Sequence, residues 1–121
     1  MKKLCGLILT LLVSAAPAAW AHSFPERQSP AAGETLTSPP SEVSINYDAP
    51  IEKLFAKLEV VGPDGKNEAT SAPQVSADGR TLSVKLAPLK PGQYQVKWGV
   101  VGIDTHRTQG SYTFAVAAKG G

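Results

Sequence analysis

An all-β fold is predicted for this chain: a Greek-key β-sandwich or flattened barrel, immunoglobulin-like (cupredoxin-like), with about seven short strands. Three observations predict it. Apolar and polar residues alternate with a period of two in several segments. Turns rich in Gly and Pro punctuate those segments, and no stretch of ten or more residues shows convincing helical periodicity. The run Leu89-Lys90-Pro91-Gly92-Gln93-Tyr94 also resembles a tyrosine corner, in which a buried ring turns its hydroxyl back onto nearby backbone.

The N-terminus comes first. Lys2 and Lys3 precede the apolar run from Leu4 to Val13, then small residues, then Ala19-Trp20-Ala21, the A-x-A pattern of a secretory cleavage site. The run is too short for a membrane span, so residues 1–21 read as a signal peptide for the Sec pathway rather than a stable anchor. Cys5 lies at the start of the apolar run rather than after it, which argues against a lipoprotein site. The expected organisation is a signal over 1–21, cut after Ala21, and a single domain over 22–121, exported to the periplasm.

That domain contains no cysteine or methionine, because Cys5 and Met1 are the only ones in the chain. It cannot rest on disulfides and must rest on its core. Of the 12 Lys and Arg, Lys2 and Lys3 leave with the signal, so ten positive charges face 10 Asp and Glu. A formally neutral domain gives no reason to expect nucleic acid or an anionic membrane as partner. A monomer is expected.

The strands then follow in order. After a Pro-rich entry with Ser29-Pro30 and Ser38-Pro39-Pro40, Val43 to Tyr47 alternates and ends at Ala49-Pro50. Ala56 to Val61 carries Leu58 and Val60 on one face and stops at Gly62-Pro63-Asp64-Gly65, which suits a tight turn. A weaker strand is expected near Glu68 to Val75, and Asp78-Gly79 turns the chain into Thr81 to Leu86. In Gln93 to Val101, Tyr94, Val96, Trp98 and Val100 share a face, with Tyr94 and Trp98 read as structural. The last strand, Ser111 to Val116, places Tyr112, Phe114 and Val116 together, and Gly102 to Gly110 reads as the loop between these two strands.

That loop holds Asp104 and His106, two residues apart, which on extended backbone would project to one side. A carboxylate and an imidazole so placed could serve a proton, a cation or neither. His22 adds to the pair if the Ala21-His22 bond is cut, because its new α-amine and its Nδ1 can close a chelate ring on one metal ion. The amine has an ordinary pKa near ~7.7, so a metal displaces its proton at small cost near neutral pH. With the His106 imidazole and an Asp104 oxygen the set becomes three nitrogens and one oxygen, which suits tetragonal Cu(II). Zn(II) prefers a tetrahedron, and Cu(I) prefers sulfur donors that the domain lacks.

At these residues the chain resembles the CopC copper-resistance proteins of the bacterial periplasm. The resemblance runs through His22 after the A-x-A site, Ser29-Pro30-Ala31-Ala32-Gly33, Ile45-Asn46-Tyr47 with Pro50-Ile51-Glu52, and the run from Leu89 to Trp98. It ends with Asp104-Thr105-His106, Gly110 and Tyr112-Thr113-Phe114. It implies a Greek-key β fold that binds Cu(II), one ion per mature chain, through His22, Asp104 and His106. It also implies a role as copper buffer or carrier, with a CopD-type inner-membrane protein as partner. Some members carry a Met-rich Cu(I) loop; the matching region here, roughly Gly62 to Ser76, has no Met or His, so no Cu(I) site is expected. Asp48 stands near a position where certain members present an acidic contact, and it is not assigned as a ligand.

Two other functions compete. A copper oxidase resembling lytic polysaccharide monooxygenases would share the brace of an N-terminal His and a second His, but Asp104 would fill the position that oxygen needs. A hydrolytic Ser-His-Asp site fails because both histidines, His22 and His106, are already committed to the metal. The remaining rival is a metal-free immunoglobulin-like interaction module. A binding protein rather than an enzyme is expected.

Overall fold

In the computed structural model, which describes residues 23–119, eight strands form two four-stranded sheets over one core. The first sheet holds, in spatial order, β1 (Pro25–Ser29), β3 (Glu42–Tyr47), β6 (Thr81–Lys85) and β5 (Gln74–Val75). The second holds β2 (Thr35–Leu36), β8 (Arg107–Val116), β7 (Gly92–Val101) and β4 (Lys57–Val61). Neighbours are antiparallel except β2 and β8, which run parallel. A single 3₁₀ turn, Lys53–Phe55, follows β3. This is the Greek-key β-sandwich that the alternation foretells.

The period of two builds the core directly. In β3, Val43, Ile45 and Tyr47 are buried; they meet Leu82 and Val84 of β6, and Leu58 and Val60 of β4. Tyr94, Val96 and Val100 of β7 and Tyr112, Phe114 and Val116 of β8 complete it. Each fully buried aliphatic or aromatic side chain contributes roughly 1.5–3 kcal/mol, so the core carries the domain without disulfides. The tyrosine corner is present: Tyr94 Oη donates to the Lys90 carbonyl at 2.5 Å, and its ring stacks on Phe114 with centroids 5.5 Å apart. Trp98 meets the edge of Tyr47 at 5.6 Å and packs against the core, as its strand position suggests.

Three elements differ from the sequence expectation. β1 forms where a Pro-rich entry is expected, because the polar segment Pro25–Ser29 finds backbone partners along β3. Near Glu68 to Val75 only Gln74–Val75 is a strand, with an isolated bridge from Ala69 to Leu86. Most consequentially, β8 starts at Arg107 rather than Ser111, and its ladder to β7 runs unbroken from Gly92↔Val116 to Val101↔Arg107. Gly110 is therefore not a turn residue. It faces Trp98 across the ladder, and a Cβ there would come within 2.8 Å of the indole.

Candidate metal centre

The long β7–β8 ladder leaves only residues 102–106 to reverse the chain. The turn is closed by its own backbone: Gly102 N–H donates to the His106 carbonyl at 2.9 Å, and Thr105 N–H to the Gly102 carbonyl at 2.9 Å. Thr105 takes a left-handed conformation, φ 73°, which is uncommon for a β-branched residue. Asp104 holds the turn from inside, since its Oδ1 accepts the His106 N–H at 3.1 Å. Its Oδ2 lies 3.1 Å from His106 Nδ1. The two side chains thus meet, but through a turn rather than through the extended backbone that their spacing suggests.

Exposure divides the pair. The His106 side chain is 56% exposed and the Asp104 side chain 23%, so a carboxylate fixed at the floor of the turn presents an accessible imidazole. Glycine at 102 makes this possible. A Cβ there would sit 2.6 Å from Asp104 Oδ1 and 3.0 Å from the Ser23 hydroxyl, so both groups occupy the space that a side chain would need. Arg107 is exposed and opens β8 opposite Val101, as suits a solvated rim residue.

The N-terminal segment reaches the same place. Ser23, 1% exposed, is the buried polar residue of the described chain. Its hydroxyl donates to the Pro50 carbonyl at 3.1 Å, the carbonyl that also accepts the Ile103 N–H at 3.3 Å. Thr108 Oγ1 donates to the Ser23 carbonyl at 2.9 Å. Phe24 exchanges bonds with Asp48: its N–H donates to Asp48 Oδ1 at 2.8 Å, and its carbonyl accepts the Asp48 N–H at 2.9 Å. Asp48 therefore anchors the segment that enters the site. His22 itself lies outside the described residues, as do residues 1–21 and the cleavage site.

Donor chemistry tests whether a metal fits. Among the described residues no three His, Cys, Asp or Glu gather as a metal cage. Asp104 and His106 supply two donors. Cis donors on metal bonds of about 2.0–2.1 Å stand about 2.8–3.0 Å apart. The 3.1 Å between Oδ2 and Nδ1 is close to that edge. An oxygen and a nitrogen so placed suit a borderline cation and need further donors from outside the turn.

The comparisons decide the family. The CopC domain family matches residues 25–117, most of the chain. The chain belongs to the CopC family. Protein YobA of Escherichia coli K12 is 38% identical over 113 residues, covering 92% of this chain and 90% of that protein. Copper resistance protein C of Escherichia coli is 29% identical, covering 88% of this chain and 90% of that one. The crystal structure of CopC from Methylosinus trichosporium OB3b superimposes with a TM-score of 0.76 at 26% identity, covering 83% of this chain and 98% of that one. A copper-related, non-enzymatic role follows from membership in this family of copper-binding and copper resistance proteins.

Asp104 and His106, the two loop residues singled out in the sequence, do meet in the turn, whereas the groups around them carry no mark in the sequence. Ser23, Thr108, Gly102 and Asp48 act through hydroxyl and backbone contacts between segments far apart in the chain. A pattern along the sequence carries no signal for such contacts.

Proposed function

We propose that this CopC-family chain is a periplasmic protein that buffers or carries copper. It binds one Cu(II) through the α-amine and imidazole of His22, the imidazole of His106 and a carboxylate oxygen of Asp104. The observation that carries this reading is the 3.1 Å contact of Asp104 with His106 beside the buried Ser23. Signal removal after Ala21 would create the amine donor, and residues 22–121 would be the working domain. Among the described residues no helix is long and apolar enough to cross a membrane.

The residues explain a redox-quiet site. Asp104 contributes a negative charge, which favours the more highly charged Cu(II) over Cu(I), and no sulfur donor is at hand to reverse that preference. Copper titration of the mature protein tests the reading. One equivalent of Cu(II) should give a weak d-d band that disappears in His106→Ala; a titration without a stoichiometric end point would leave only a metal-free module. Peroxide production with ascorbate, or oxidative cleavage of a glycan, would instead revive an oxidase.

The recipient in this reading is a CopD-type inner-membrane protein, and the binding protein itself is monomeric. Four exposed large apolar side chains support a docking face at this end: Phe24 follows Ser23, Leu54 and Phe55 form the 3₁₀ turn, and Ile103 precedes Asp104. Copper uptake by vesicles bearing a CopD-type protein should slow in Ile103→Ser while Cu(II) affinity stays unchanged. Equal uptake by both proteins would remove this face from the account.

A further inference from the structure

We infer that Thr108 and Ser23 form a latch that positions the mature N-terminus for metal binding, so that copper affinity depends on a hydroxyl that never touches the metal. The inference rests on the reading above, in which His22 supplies two donors. Chain termini ordinarily fray. Here Ser23 and Phe24 are tied at four points to two separate segments: the stretch just after β3, at Asp48 and the Pro50 carbonyl, and the start of β8 at Thr108.

The geometry gives each tie a direction. Thr108 Oγ1 reaches the Ser23 carbonyl from β8, the strand that leaves the Asp104–His106 turn. The Ser23 hydroxyl reaches Pro50 from the other side, and Pro50 also accepts from Ile103 inside that turn. Over Gly102 the Ser23 hydroxyl and the Asp104 carboxylate occupy neighbouring positions, 3.0 Å and 2.6 Å from where a Cβ would stand. The segment that bears the N-terminal donors and the turn that bears the other two are thus held by the same few groups.

The latch acts through entropy. A donor on a free terminus must be ordered when the metal binds, whereas a donor on a terminus already tied beside the site binds at a higher effective concentration. Thr108 is then a positioning residue. Removing one hydrogen bond of this kind weakens the ordered state by about three- to ten-fold.

A double-mutant cycle on the mature protein, read as Cu(II) affinity by chelator competition, tests it. Thr108→Val, which keeps the shape and loses the donor, should weaken binding about three- to ten-fold, while Thr108→Ser should restore it. At saturating copper the nitrogen hyperfine pattern should match the wild type, because every donor remains. In the metal-free protein, the Phe24 amide should exchange faster with solvent in Thr108→Val. In a His22→Ala background, Thr108→Val should no longer change the affinity. The latch is wrong if Thr108→Val binds copper as the wild type does, or if its effect persists undiminished without His22. If His22→Ala alone leaves the affinity unchanged, the assignment of His22 as a donor falls instead.

Discussion

Replacing Gly102 by Ala disturbs the candidate site without removing a single donor. Gly102 is buried and its φ lies outside the left-handed region, so alanine meets no backbone penalty there. The added Cβ would stand 2.6 Å from Asp104 Oδ1, against the 3.4 Å at which ordinary contact begins, so the carboxylate must retreat by about 0.8 Å. Both Asp104 contacts to His106 are 3.1 Å long. A retreat of that size takes at least one of them past hydrogen-bond range. Overpacking of this kind costs about 1–3 kcal/mol of stability, which urea unfolding of the metal-free protein measures. Displacing a group that orients metal ligands typically costs 10–100-fold in affinity, roughly the loss expected for Cu(II) in a competition titration. A folded Gly102→Ala protein that bound Cu(II) with wild-type affinity and an unchanged spectrum would refute the placement of Asp104 in the site.

Three further outcomes are expected. Asp104→Asn removes the anionic oxygen and should raise the Cu(II)/Cu(I) midpoint potential, by about 59 mV for each tenfold loss of preference for Cu(II); a potential that did not rise would show that the carboxylate is not felt by the metal. Gly110→Ala drives a methyl to 2.8 Å from the Trp98 ring and should destabilise the fold by about 1–3 kcal/mol, with a shift in tryptophan emission, while leaving the donors in place. Burial pushes the hydroxyls of Tyr47 and Tyr112 well above the ordinary tyrosine value of 10.0, and neither has a hydrogen-bond partner among the described residues. With both folded pKa values raised, that stabilisation is complete below pH 10. Above it the unfolded chain loses protons first, and stability falls by up to about 1.4 kcal/mol per pH unit for each tyrosine. Urea midpoints measured along an alkaline series check the slope, which Tyr112→Phe should roughly halve.

The parts of the fold that could be read in advance are those where the side chain alone determines the face. Val43, Ile45 and Tyr47, or Tyr94, Val96 and Val100, have no soluble alternative to burial, and their alternation is the strand. Where the backbone partner makes the strand, the sequence is silent. Pro25–Ser29 pairs with β3 while offering no apolar alternation, and Arg107 to Ser111 is polar throughout with a glycine that looks like a turn. The neighbour explains that glycine, since Trp98 fills the space a side chain would take.

The site divides in the same way. The pairing of Asp104 with His106 was legible because His106 is one of only two histidines in the chain and an Asp stands two residues before it. Their manner of convergence was not, because the turn is set by the length of the β7–β8 ladder and by the left-handed Thr105. The contacts that hold Ser23 join residues 27 and 85 positions apart, a relation that only the folded chain displays.

In the proposed site, removal of residues 1–21 creates a metal donor, the α-amine of His22. Electron paramagnetic resonance of the Cu(II)-loaded protein beginning at His22, beside a protein extended by one Ala before His22, tests this step. The extension blocks the α-amine and leaves His22, Asp104 and His106 in the chain. The extended protein should lose one nitrogen from the hyperfine pattern and bind Cu(II) more weakly. Identical patterns and equal affinities would contradict it.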